Sequence, residues 1–339
     1  MKPSEISAVL TGFVAKRRPV FIWGSAGVGK SSMVKAFAKE HNLELRDVRL
    51  SQLDSIDLKG FPVPNMPKRH MEWLTPDFLP TSKDKPGILF LDECNGAMPA
   101  VASAAYQLIL DLRVGNYELP EGWTIIAAGN GREDRGVTHQ MPAPLNNRFV
   151  HIDYDLDPAE WHKMAAADGI HPHIRAFLSL KPQALHVFDP KDNPRSFPTP
   201  RSWYFVNDFY DKPLPNGNKL GDAATFELVQ GTIGKGAGTE FTVFVRDLKD
   251  MPVIADILKD PAKTPLPKNH AVMHAVVTTL SDQISKTNFE SIMTYVLRLP
   301  KEIQVVFMAS SLAQPKVRPI LVSSKSYATW AAENHSFIM

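Results

Sequence analysis

Cysteine is all but missing from this chain: its 339 residues include one, Cys94. That excludes an intrachain disulfide and fits a reducing cytoplasm, the location the sequence predicts. Net charge is nearly missing too. At +2 it gives no global reason to expect nucleic acid, although a local basic patch stays open. No stretch approaches the roughly 18 uninterrupted apolar residues of a membrane span, so none is expected. Met1 to Arg18 lacks a signal-peptide pattern and reads as a short amphipathic helix, with Ile6, Val9, Leu10 and Phe13 on one face. No internal repeat is found. What remains, 44% apolar and 22% charged residues, is ordinary for a globular chain that can bury a sizeable core in two domains or one large one.

Against that background Gly24-Ser25-Ala26-Gly27-Val28-Gly29-Lys30-Ser31 stands out, because it meets G-x-x-x-x-G-K-[ST] at every fixed position. Its context agrees. The apolar run Val20 to Trp23 before it reads as a buried strand, and Ser31 to Glu40 after it as a helix. Glycines there let backbone N–H groups turn inward around phosphate oxygens, and the helix N-terminus adds its partial positive charge. Lys30 is expected to reach the β- and γ-phosphates of ATP, Ser31 to hold Mg²⁺, and Ser32 to complete the nucleotide-binding set.

A second motif follows. Ile88-Leu89-Phe90-Leu91-Asp92-Glu93 is an apolar strand ending in two carboxylates, and a buried strand has no reason to finish that way unless something cationic waits there. Asp92 is assigned to Mg²⁺, directly or through water, and Glu93 to orienting and polarising the attacking water. Cys94, just beyond, is expected to be a small buried side chain without a redox role.

Residues 1–156 alternate strands and helices, the pattern of a parallel sheet covered on both faces. Strands are predicted at Val20 to Trp23, Leu43 to Arg49, Ile88 to Asp92, Thr124 to Ala128 and Phe149 to Asp153, with helices over Lys30 to His41 and Pro99 to Leu112. Phe61 to Trp73, with three prolines and the basic run Lys68-Arg69-His70, reads as an exposed hairpin or loop. Arg113 to Leu119, centred on Gly115-Asn116, reads as a second hairpin. Residues 157–339 change character. Helical patterns dominate, among them Phe241, Phe244, Val245 and Leu248 on one face, and Phe289, Ile292, Met293, Val296 and Leu297 on another. Gly231 to Gly238 is expected to be a loop or close helix packing rather than a second phosphate loop. His171 with His173, and His270 with His274, are expected to be packed or surface histidines, since the sequence offers no nearby carboxylate or cysteine to complete a zinc set.

With these motifs placed, the chain resembles the AAA+ ATPases, and in detail their MoxR branch. Ala127-Ala128-Gly129-Asn130 ends a strand where the family carries its sensor 1 asparagine. Leu145-Asn146-Asn147-Arg148-Phe149 resembles the segment whose arginine reaches a neighbouring subunit's nucleotide. Thr199-Pro200-Arg201-Ser202 resembles the sensor 2 segment of the helical lid, and Asp57-Leu58-Lys59-Gly60 the run that precedes the family's insertion. Departures are Asn147 for a frequent aspartate, Gly131 for a usual proline, and Cys94-Asn95 for the common Ile-Asn. The resemblance implies a P-loop NTPase αβα sandwich with a parallel five-stranded sheet, a helical lid and a C-terminal helical extension. It also implies a catalytic set of Glu93, Asn130, Arg148 and Arg201. Physically, Asn130 is an uncharged donor for the attacking water or a γ-phosphate oxygen, and Arg148 an always charged fork.

The reading is then a Mg²⁺-dependent ATPase, yielding ADP and phosphate, working as a cytoplasmic homo-oligomeric ring of six. Its partner by resemblance is a separate protein with a von Willebrand factor A domain, which the motor remodels or activates. Two alternatives are a nucleic-acid remodeller of the initiator, loader or packaging type, kept alive by Lys68, Arg69 and His70 beside Trp73, and an ATP-gated scaffold with incidental turnover. The mixed-charge run Arg132, Glu133, Asp134, Arg135 is read as a solvated loop that a ring would place at a subunit seam.

Overall fold

Residues 1–81, 84–131, 141–189, 194–215 and 217–334 are described by the computed structural model; Arg132 to Arg135 lie outside them. The chain separates after Asp157 into two compact units, Met1–Asp157 and Pro158–Met339. The first opens with α1 (Pro3–Ala15), β1 (Val20–Trp23), α2 (Lys30–Glu40) and β2 (Glu44–Arg49). A short α3 (Ser55–Lys59) leads into a hairpin of β3 (Phe61–Asn65) and β4 (His70–Leu74). Next come β5 (Gly87–Asp92), α4 (Pro99–Asp111) and a small hairpin of β6 (Arg113–Val114) and β7 (Tyr117–Glu118). β8 (Trp123–Gly129), α5 (Ala143–Asn146) and β9 (Val150–Asp153) complete the unit.

Five strands form one parallel sheet in the order β2-β5-β8-β1-β9. Composition explains the placement. β5 and β8 are apolar almost throughout and buried nearly end to end, whereas β2 and β9 intersperse charged or polar residues with apolar ones and take the edges. The pleat then sorts side chains by parity. Val20, Ile22, Ile88, Phe90, Ile126 and Ala128 cluster with Ile6 and Leu10 of α1 and Met33, Val34 and Phe37 of α2. Phe21, Leu89, Leu91, Ile125 and Ala127 cluster with Val101, Ala104, Ala105 and Leu108 of α4. The product is an αβα sandwich with the P-loop NTPase arrangement, and every predicted strand lies within a residue of its observed bounds.

The β3-β4 hairpin forms a sheet of its own. Pro62 pairs with Trp73 and Pro64 with Met71, and partners in an antiparallel pair share a face, so one face is apolar throughout. Trp73 is 38% exposed and Met71 51%; the tryptophan does not fold back into the core. The other face is mixed: Phe61, Val63 and Leu74 share it with Asn65, His70 and Glu72, and Lys68 Nζ and His70 Nε2 each lie 3.4 Å from Glu72 Oε1.

The second unit is helical, with eleven α-helices among the described residues. They begin with α6 (Pro158–Ala167), α7 (Pro172–Leu180), α8 (Pro200–Phe209), α9 (Asp222–Ile233) and α10 (Lys235–Asp247). α11 (Ile254–Lys259), α12 (His270–Asp282), α13 (Phe289–Val296), α14 (Lys301–Leu312), α15 (Arg318–Val322) and α16 (Lys325–Glu333) follow. None of the helices described is long and apolar enough to cross a membrane. The predicted faces are buried at Phe241, Phe244, Leu248, Phe289, Ile292, Met293 and Val296, but Leu297 is 43% exposed, because α13 ends one residue before it and the periodicity lapses there. The glycine-dense run is close helix packing: a Cβ at Gly238 would sit 2.9 Å from Gln230 Cα.

His162, His171, His173 and His274 are partly buried and His270 is exposed; no group of three or more His, Cys, Asp or Glu among the described residues could hold a metal ion. Folding does bring one carboxylate near, since Asp211 Oδ2 lies 3.6 Å from His171 Nε2. His171 Nδ1 accepts the His173 backbone N–H and caps α7. Burial lowers His162 and His171 to about 4 and also lowers His173 and His274. Unfolded, such rings take up a proton near pH 6.5; folded, His162 and His171 do so only near pH 4. Between those values the unfolded state binds more protons, so the stability present above pH 6.5 is lost as pH falls. Melting followed by circular dichroism should show Tm dropping by several degrees from pH 7 to pH 5, at about 2–4 °C per kcal/mol for a unit this size. His162→Gln should flatten the slope, and a Tm equal at both pH values would show that these rings do not control it.

Candidate nucleotide site

The loop after β1 is shaped by residues that only glycine can replace. Gly27 has φ 76° and Gly29 φ 111°, both in the left-handed region that side chains resist. Gly29 occupies the N-cap of α2, leaving the helix's first N–H groups to face whatever the loop encloses. Beneath the loop, a Cβ on Gly24 would lie 3.2 Å from Tyr154 Cβ and 3.5 Å from Lys30 Cδ.

Lys30 is buried, and its ammonium is held by hydrogen bonds: Nζ donates to Gly24 O at 2.5 Å, Ser25 O at 3.0 Å and Asn130 Oδ1 at 3.1 Å. A buried cation without such partners is costly. The arrangement keeps a positive charge inside the loop and ties it to the end of β8. Ser31 Oγ donates to Asp92 Oδ2 at 2.8 Å, so α2 and β5 deliver a hydroxyl and a carboxylate oxygen to one point. That is a hard-oxygen donor set of the kind Mg²⁺ prefers, and the residues present fit the ion. Asp92 Oδ1 in turn accepts the Glu93 backbone N–H at 2.9 Å.

Glu93 itself has φ 52°, and its carboxylate accepts a hydrogen bond from Ser51 Oγ. Asn130 is fixed through its backbone, whose carbonyl accepts Asn95 Nδ2–H at 2.8 Å. The approach is tight: a Cβ on Gly129 would meet Asn95 Oδ1 at 2.3 Å and Phe21 Cζ at 2.7 Å. Cys94 is buried, its thiol pushed up to about 12 by that burial, and it packs without thiolate chemistry.

Lys30, Ser31, Asp92, Glu93 and Asn130 thus meet at the carboxyl ends of β1, β5 and β8. Gly24, Ser25, Ala26, Gly27, Val28 and Gly29 form the loop, and Ser32 sits in the first turn of α2. Arg148 does not join them. It is exposed on the turn between α5 and β9 and has no side-chain partner among the described residues. Arg201 is an exposed residue in the first turn of α8, in the second unit. Sequence reasoning missed Ser51, whose position after β2 carries no local signal, and the bracing role of Asn95, for which the Asn in Cys94-Asn95 was a signal.

The glycine loop, the helix that follows it and the acid-ended β5, separated from β1 by β8 in the sheet, define a P-loop nucleotide-binding domain. Residues 20–152 match the model of the AAA family, the ATPase family associated with various cellular activities. Among solved structures the chain is similar to Thermotoga maritima RuvB, a Holliday junction branch migration motor, with 16% identity over 87% of this chain and 86% of that one, TM-score 0.37. It is similar also to NtrX from Brucella abortus in complex with ADP, with 13% identity over 99% of this chain and 68% of that one, TM-score 0.40.

Proposed function

We propose that the chain is an ATP-hydrolysing AAA+ motor subunit of the MoxR type that works as a ring, six subunits by resemblance, and remodels or activates a separate partner protein. The convergence of Lys30, Ser31, Asp92 and Asn130 supports this reading above all. Lys30 would exchange the loop carbonyls for β- and γ-phosphate oxygens, and the α2 N-terminus would hold the same phosphates through backbone N–H groups. Mg²⁺, held by Ser31 and Asp92, would neutralise charge developing on the phosphates. Glu93, released from Ser51, would take the proton of the attacking water, and Asn130 would orient that water or a γ-phosphate oxygen. Arg148, exposed and unoccupied within its own chain's described residues, is free to serve a neighbour. Arg201 enters from its sequence segment alone, as a sensor of the γ-phosphate. Phosphate release from ATP should require Mg²⁺ and rise more steeply than linearly with protein concentration as rings assemble. A rate strictly proportional to concentration, with light scattering showing monomers in ATP, would remove the ring.

The partner contact proposed is the β3-β4 hairpin, whose apolar face and basic tip are left exposed by the described residues; the partner itself, a protein with a von Willebrand factor A domain, follows from the resemblance. Replacing Lys68 to Trp73 with a Gly/Ser linker should leave basal turnover and assembly near normal and abolish stimulation by the partner. Loss of basal activity and a lowered melting temperature would make the hairpin structural instead. The exposed Lys68, Arg69 and His70 beside Trp73 support the second reading, a nucleic-acid remodeller. DNA affinity falling steeply with salt, and lost in the linker variant, would favour it.

A further inference from the structure

β9 supports both the phosphate loop and the turn that presents Arg148. Trp23, the residue before Gly24, donates its indole Nε1–H to His151 Nδ1 at 2.9 Å. An indole can only donate, so Nδ1 accepts and the neutral ring's proton sits on Nε2. From there His151 donates to Asn146 O at 2.8 Å. The same carbonyl accepts Phe149 N–H at 3.3 Å, and it therefore closes the turn Asn146 to Phe149, of which Arg148 is the third residue. Aromatic packing backs the chain of bonds: the Trp23 and His151 rings lie 25° apart in plane, Phe21 and Trp23 are 4.2 Å apart, and Phe21 meets Phe149 edge-on at 5.3 Å.

Trp23 is tied to the loop as closely as a residue can be. Its carbonyl accepts Tyr154 N–H at 2.7 Å, and Tyr154 packs directly under Gly24. A shift of the loop on taking up phosphates would act first on Trp23, and the indole would pass it to the imidazole and so to the Asn146 carbonyl.

We propose that His151 is a positioning residue that couples a subunit's own phosphate loop to the arginine it lends its neighbour, so that nucleotide occupancy in one site sets the competence of the next. The proposal rests on the reading of Arg148 as acting in trans. His151→Ala should keep affinity for a fluorescent ATP analogue within about twofold while kcat falls roughly 10- to 100-fold, the scale of misplacing a catalytic group by an ångström. His151→Gln, whose amide offers one acceptor and one donor, should recover most of the rate. Rings mixed from His151→Ala and Glu93→Gln should regain turnover, because some seams then pair a sound Glu93 with a well-held Arg148. Unaltered kcat in His151→Ala overturns the proposal, as does failure of that mixture to recover when Arg148→Ala mixed with Glu93→Gln does recover. If neither mixture recovers although subunits exchange, the trans reading fails and takes the proposal with it. Should His151→Ala not fold, Trp23→Phe keeps an aromatic side chain beside Phe21 and His151 and removes the N–H donor together with the rest of the indole's second ring. It should lower kcat several-fold at unchanged analogue affinity, and an unchanged kcat there also overturns the proposal.

Discussion

Arg148→Ala should bind ATP as tightly as the native chain and hydrolyse it at least about 10³-fold more slowly. The expectation follows from where the arginine stands. It is exposed on a turn and has no side-chain partner among the described residues, so its removal leaves nothing unsatisfied among them. A phosphoryl transition state spreads negative charge over the equatorial oxygens, and a fixed guanidinium fork offsets that charge only as it develops; 10³-fold corresponds to about 4 kcal/mol of the barrier. Affinity for the ground state should therefore survive. Mixing Arg148→Ala with Glu93→Gln, each inactive alone, should restore part of the rate as a bell-shaped function of mixing ratio. A flat line across all ratios, with exchange verified by fluorescence transfer between labelled subunits, would place the arginine's role within its own chain or outside catalysis.

The second large effect separates two residues of the same site. Lys30 is buried with three hydrogen-bond acceptors around its ammonium, two of them carbonyls of the loop that phosphates would enter. Lys30→Ala removes charge-assisted bonds to the ground state, each worth about 1.5–3 kcal/mol, so analogue affinity should fall roughly 10- to 150-fold or more. Glu93 is hydrogen-bonded to Ser51 rather than to a residue of the loop and would act on the water. Glu93→Gln should thus bind ATP normally and turn over about 10²- to 10⁴-fold more slowly, the range for losing a general base. Equal losses of affinity in the two variants, measured by the same titration, would mean that the roles are wrongly divided between them.

Most of the nucleotide unit was legible because its chemistry demands fixed residues at fixed spacing. Gly27, Gly29, Lys30 and Ser31 are adjacent in sequence, and Asp92 with Glu93 announces itself by ending an apolar strand with charge. The sheet was legible for a different reason: burial on both faces leaves β5 and β8 few polar residues, Asp92 and Thr124, and exposure at the edges leaves β2 and β9 several. The contacts that were not legible all cross strands. Ser51 reaches Glu93 only because β2 and β5 lie side by side with Arg49 opposite Asp92, and Trp23 reaches His151 only because Trp23 pairs with Asp153 at the far edge. Strand order is a property of the whole sheet, and no window of sequence encodes it. Helical periodicity failed at Leu297 for the converse reason, since it extrapolates past the point where the helix stops.

The sealed thiol beside Glu93 has a practical consequence. With one cysteine in the chain, and that one buried and pushed up to about 12, the native protein offers thiol reagents almost nothing to label in neutral buffer. A cysteine introduced at the tip of the β3-β4 hairpin, or on the exposed turn that bears Arg148, would be the sole reactive handle in the molecule. A dye, spin label or crosslinker would then report from a chosen place on the wild-type background, without the customary stripping of native cysteines first.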